Sequence, residues 1–246
     1  MDRLIYVAMT GAKHLMHKQE VLSNNLANAN TAGFRADLDV MRAVPVLGQG
    51  MPTRAFVVDS TPGSDFSQGS IQRTGSDLDA AVNGAGWFVI EGLDGTEGYT
   101  RAGGFERGAE GLLQTKSGRP VLGDGGPITL PDNSRIEIGS DGTVSAIAAD
   151  NSKNVTPVGK LKLVNPPEKD LVKGLDGLFR LRDGTSAGTD DAVRLTGGAI
   201  EGSNVNVVET MIGMISLSRQ FEMQMKLLQE AQQNSASAGK LMSNTQ

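Results

Sequence analysis

The chain has 246 residues, a formal charge of −5, no cysteine, 38% hydrophobic residues and only 4% aromatic ones. Lys and Arg are scattered among more numerous carboxylates, which argues against a nucleic-acid partner. The absence of thiols excludes disulfides and thiolate metal sites, and no apolar run approaches the ~18 residues that direct membrane insertion requires.

Residues 1–34 are predicted to form the first helix and its end. Met1, Ile5, Ala8, Ala12, Leu15, Leu22 and Leu26 recur at alternating steps of three and four, with Gln19 in the same register. That is the spacing of a seam against another helix, and Ala8 and Ala12 would admit a close partner. Asn28, Asn30, Thr31 and Gly33 then supply residues that end helices. The opening Met1-Asp2-Arg3 and the short apolar stretch behind it lack a signal-peptide core and a small-residue cleavage site.

Residues 35–79, with Pro45, Pro52 and Pro62, read as an extended connector with room for added strands. Residues 80–202 alternate short β-prone runs with turns. The runs include Trp87-Phe88-Val89-Ile90, Leu112 to Thr115, Arg135 to Ile138 and Lys160 to Val164, and the turns include Asp94-Gly95, Asp124 to Pro127 and Asp141-Gly142. The 32 glycines, nearly double the roughly 7% average, belong to this pattern. Strands at such spacing predict a central all-β domain.

Residues 203–246 carry the second helix, expected from about Asn206 to Met242. Val207, Val208, Met211, Met214, Ile215, Phe221, Met225 and Leu228 read as its apolar face, and Arg219, Gln220, Lys226, Gln229 and Glu230 as its polar one. At about 1.5 Å per residue it would run roughly 50 Å, a length that needs a partner for stability. The fold class is therefore α+β, with N- and C-terminal helices pairing as a coiled-coil-like terminal domain around a central all-β domain. Helices packed on the β-domain as ordinary covers are the alternative.

Chemistry is sparse. His14, His17 and Glu20 lack the i, i+4 histidine spacing of a zinc enzyme and read as a polar helix face. Asp77 and Asp79 could share a strand face as a carboxylate pair, but solvated turn acids are the better reading. Asp183 to Asp191 lacks the alternating acids of a calcium loop. Gly84-Ala85-Gly86 lacks the third glycine and strand-to-helix setting of a dinucleotide site and reads as a tight turn entering a strand. No catalytic, cofactor or metal residue is expected, and the chain is read as no enzyme. A secreted β-rich enzyme is the alternative from another functional class.

Three stretches carry a resemblance. Asn25-Leu26-Ala27-Asn28 leads to Thr31-Ala32-Gly33-Phe34; Asp77 to Gly84 precedes Gly86-Trp87-Phe88 and Tyr99-Thr100-Arg101; Glu201 to Asn206 leads to Met211-Ile212, Arg219 to Glu222 and Lys226. In this order they resemble the flagellar rod, hook and hook-associated family, departing at Ala32, where proline is usual. The resemblance implies a structural subunit of the bacterial flagellar basal body. Its partners would be other rod proteins, proximal and distal, and itself in a helical assembly that encloses the export channel and transmits torque. The stretch Arg42 to Gly63 looks like a proximal-rod connector, with the distal rod as the alternative. Expected subunit-interface residues are Ile5, Ala8, Ala12, Leu15, Leu22, Leu26, Asn28, Gly33, Phe34, Val208, Met211, Ile215, Phe221, Met225 and Leu228.

Overall fold

The computed structural model describes residues 2–39, 41–45, 55–59, 63–148 and 155–243. They form two units, one drawn from residues 1–29, 36–65 and 205–246, the other from 30–35 and 66–204. Two long helices belong to the first unit, and strands dominate the second.

In the first unit, α1 spans Asp2–Ala27 and α2 spans Val207–Ser243. Asn206 caps α2, its Oδ1 accepting from the N–H groups of Val208 at 3.1 Å and Glu209 at 3.3 Å. These are orphan donors at any helix start, and Glu209 adds a favourable charge there. The helices run antiparallel, with Leu22 against Gly213 and Gln224 against Gly11. Leu22 Cδ1 would lie 3.0 Å from a Cβ at Gly213, so the missing side chain lets the helices close up.

The apolar face expected for α2 divides into two. Val207, Thr210, Gly213, Leu217, Phe221, Gln224 and Leu228, at steps of three and four, form the sheltered side, with Leu217 buried. Val208, Met211, Ile212 and Ile215 form a second stripe exposed on the other side. Adjacent apolar pairs such as Val207 and Val208 supply both stripes, so spacing alone merges them.

The described part of the connector in this unit adds two short strand pairs. Met41–Pro45 pairs antiparallel with Ala55–Asp59, and Asp37–Leu38 with Gly63–Ser64. Pro45 ends its strand, while Pro52 and Pro62 lie outside the described residues.

The second unit holds a five-stranded antiparallel sheet in the order Leu163–Val164, Trp87–Glu91, Glu97–Thr100, Phe179–Leu181, Leu171–Lys173. Strand alternation sends Phe88 and Ile90 into one core with Phe105, Leu113 and Val144, and Trp87 and Val89 into another with Tyr99, Val164 and Phe179. A three-stranded meander, Ser134–Ile138, Thr143–Ala148 and Val155–Lys160, adds to the first core. The run expected from Lys160 to Val164 breaks at Leu161 into the ends of two strands.

One turn recurs. In 92–96, 108–112, 139–143 and 174–178 the first N–H donates to the fifth carbonyl at 2.8 Å, and the fourth residue, a glycine, donates back to the first carbonyl at 3.0–3.1 Å. The fourth position has φ between 73° and 86° in these turns, which only glycine adopts freely. In three of them an aspartate (Asp94, Asp141, Asp176) accepts the N–H two residues on. This device uses eight of the chain's 32 glycines. No helix among the described residues is long and apolar enough to cross a membrane.

Candidate functional site

In the second unit the segments that follow α1 and precede α2 in sequence meet. Gly33 N–H donates to Glu201 O at 2.8 Å and Asn204 N–H to Phe34 O at 3.4 Å. Gly33 sits at φ +69°, and a Cβ there would fall 2.2 Å from the backbone of Arg101 and Ala102, so no other residue fits.

A buried ion cluster holds this junction. The Glu201 side chain is 0% exposed; Oε1 pairs with Arg35 Nη1 at 2.6 Å, and Oε2 accepts from Arg101 Nη1 at 3.1 Å. Oε1 also accepts from Gly69 N–H at 3.0 Å, and Arg101 Nη2 donates to Gly84 O at 2.7 Å. Both guanidinium carbons lie over Trp87, Arg35 at 5.9 Å and Arg101 at 5.2 Å from the ring centroid. Burial pulls the Arg101 pKa below its usual value, opposed by the Glu201 carboxylate. Two cations and one anion thus share a site closed to solvent. The arrangement fixes backbone segments and has no open position at a reacting atom.

In the first unit, the Asn25 side chain is buried and mimics a strand edge. Its Nδ2 donates to Asp37 O at 2.9 Å and its Oδ1 accepts from Asp37 N–H at 2.8 Å. Between α1 and α2, Met16, Gln19, Glu20, Ser218, Phe221 and Glu222 line an open groove of about 830 Å³.

The expected interface residues fall into three groups. Ala12 is buried, and Leu15, Leu22, Leu26, Asn28, Phe221 and Leu228 are half-buried in the first unit; Ile5 and Ala8 lie on α1 with side chains outside the described set. Val208, Met211, Ile215 and Met225 are exposed on α2. Gly33 is buried and Phe34 half-buried in the second unit, where Lys173 Nζ stands 3.9 Å from the Phe34 ring centroid.

Two acid–base readings need correction. His14 is buried, not part of a solvated face, although His17 and Glu20 are exposed and lie 3.4 Å apart. Asp79 is buried and accepts from Thr74 Oγ1 at 2.6 Å, so it is no solvated turn acid. Asp77 binds Arg135 through two 2.7 Å bonds, which hold its pKa below the usual value. The roles of Arg35, Glu201 and Asn25 were missed. Their one sequence signal was position, each lying in or beside a stretch that carried the resemblance.

The comparisons with known proteins follow the same three stretches. The Flagella basal body rod protein family matches residues 5–35, the Flagellar hook protein FlgE/F/G D1 domain matches 81–146, and the Flagellar basal body rod FlgEFG protein C-terminal family matches 196–241. The flagellar basal-body rod protein FlgF of Salmonella typhimurium is 45% identical over 99% of both chains, and that of Escherichia coli 44% identical over 99% of both. The chain belongs to the FlgF family of flagellar basal-body rod proteins. The rod protein FlgG of Agrobacterium fabrum is more distant, at 31% identity over 93% of this chain and 95% of its own. In this FlgF-family chain each matched segment supplies one member of the ion cluster: Arg35, Arg101 and Glu201. As a family member it is a structural component of the basal-body rod.

Proposed function

We propose that α1 and α2 pair as a coiled-coil-like terminal domain through which the chain polymerises with its own copies and with other rod proteins, proximal and distal. The product would be a helical shaft that transmits torque around an export channel. One observation carries this reading. The outer stripe of α2, Val208, Met211, Ile212 and Ile215, is exposed although the sheltered side of the same helix is already partnered. A helix with one apolar side packed and a second one uncovered has an unfilled partner position. Met211 on that stripe suits a surface that meets non-identical neighbours.

A place in the proximal rod is favoured over the distal rod by the identities, 45% and 44% to FlgF proteins against 31% to the FlgG protein above. Ile215→Asp tests the assembly reading. Since Ile215 is 57% exposed, the variant should unfold within about 0.5 kcal/mol of the parent chain. Incorporation into isolated basal bodies should be lost. Normal incorporation of Ile215→Asp would refute the stripe as an assembly surface.

A further inference from the structure

We infer that the Asn83–Gly84 peptide is a modification site of the β-unit. The Asn83 side chain is deamidated there without an enzyme, through a cyclic imide, to aspartate and isoaspartate, and the isoaspartate form releases Arg101 from the turn behind it. The inference does not depend on how copies of the chain assemble.

The sequence supplies the reacting pair. Asn83–Gly84 is the chain's one Asn-Gly dipeptide, and every other asparagine is followed by a residue with a side chain. Ring closure brings the next backbone nitrogen onto the asparagine Cγ, and a Cβ on that next residue crowds the approach.

The structure leaves both reacting groups idle. Asn83 ends the strand Ala80–Asn83, and both it and Gly84 are exposed. Neither the Asn83 side-chain amide nor the Gly84 N–H has a hydrogen-bond partner among the described residues. By contrast, the side chains of Asn25, Asn28, Asn204 and Asn206 are committed to backbone groups. A Cβ at Gly84 would meet nothing within 4 Å, so the turn has room for the ring. Asn83 pairs across the ladder with Arg194, which puts a positive charge on the side where the anionic intermediate and then the carboxylate form.

The step needs no reagent besides water. The Gly84 nitrogen gives up its proton and bonds to Asn83 Cγ, the side-chain nitrogen leaves as ammonia, and water then opens the imide. Opening at Cγ leaves an aspartate on the ordinary main chain. Opening at the other carbonyl gives isoaspartate, which routes the main chain through Cβ and lengthens it by one carbon.

That carbon enters a tightly held connection. Gly84, Ala85 and Gly86 alone link Asn83 to Trp87, the first residue of the next strand. Gly84 O accepts from Arg101 Nη2 at 2.7 Å, and a Cβ at Gly86 would fall 2.6 Å from Val193. Since the flanking strands are buried and Gly86 is hemmed in, the added length is taken up at exposed Gly84. The Arg101 bond is the contact it breaks, and a buried guanidinium loses an acceptor.

The whole chain, folded and urea-unfolded, is aged in mildly alkaline buffer, then mapped by peptide mass spectrometry with isoaspartyl methyltransferase labelling. In the folded chain Asn83 should deamidate ahead of every other asparagine. The urea midpoint, followed by tryptophan fluorescence, should fall as isoaspartate accumulates. Asn83→Gln, which would have to close a larger ring, should age without either change, and freshly made Asn83→Asp should keep the parent's midpoint. An amide that persists at Asn83 in the folded chain while the unfolded chain loses it overturns the site. Isoaspartate with an unmoved midpoint overturns the link to Arg101, and an equal fall in fresh Asn83→Asp overturns the main-chain cause.

Discussion

Single residues in this chain do unusually specific work at two places. Glu201 neutralises one of two buried guanidinium groups and bonds three separate segments, Arg35, Gly69 and Arg101. Glu201→Gln would leave two buried cations without a counter-charge, and should cost about 3–5 kcal/mol in urea unfolding of the β-unit. Arg35→Met, which removes one cation and keeps an apolar stem over Trp87, should cost less than Glu201→Gln. The second place is Asp176, whose pKa falls to about 2 chiefly through its bonds to Arg180. A carboxylate with a depressed folded pKa contributes stability that is present above its unfolded value, near 3.9, and lost as pH falls through the folded one. Thermal unfolding between pH 4 and about 2 should therefore show a loss that Asp176→Asn largely removes.

At the scale of elements, the helices separate what sequence spacing reveals from what it hides. The first helix was legible because Ala12, Leu15, Gln19, Leu22 and Leu26 fall on one register, and all are buried or half-buried. The second helix was legible in extent but not in facing, since Val207, Val208, Met211, Met214 and Ile215 satisfy one broad apolar arc and two narrow ones equally. The strands were found where apolar runs meet Asp-Gly turns, as at Trp87–Glu91. Ladders between distant segments left no local trace: Ala199–Glu201 pairs with Ile71–Arg73, and Arg194–Gly197 with Ala80–Asn83. Arg35 and Glu201 were illegible because a charged side chain reads as solvated until its partner is placed. At the start of α2, Asn206→Ala removes the side-chain acceptor for two N–H groups and should lower helix-unit stability by about 1 kcal/mol, readable by far-ultraviolet circular dichroism during urea unfolding. Leu217→Ala should cost more, about 2–3 kcal/mol, since Leu217 is the buried apolar side chain of α2 among the described residues.

For the whole molecule, the two units should differ in stability. The β-unit holds two cores of fully buried side chains, whereas the helix unit shelters mostly half-exposed ones. Hydrogen exchange on the free chain should thus show slow amides in Trp87–Glu91 and Glu97–Thr100 and fast ones through α1 and α2. Uniformly slow exchange across α1 would contradict the view that helix burial is completed by neighbours. The ion cluster also bears on the order of events during folding. Arg101 and Glu201 are 100 residues apart in the chain, and Gly69 and Glu201 are 132 apart. The cluster therefore cannot form until the segments carrying Arg35, Gly69, Arg101 and Glu201 have all come together. Closure of the β-unit is expected as a late, all-at-once step. The chain's single tryptophan lies against both arginines, so its fluorescence would time that step without any added label.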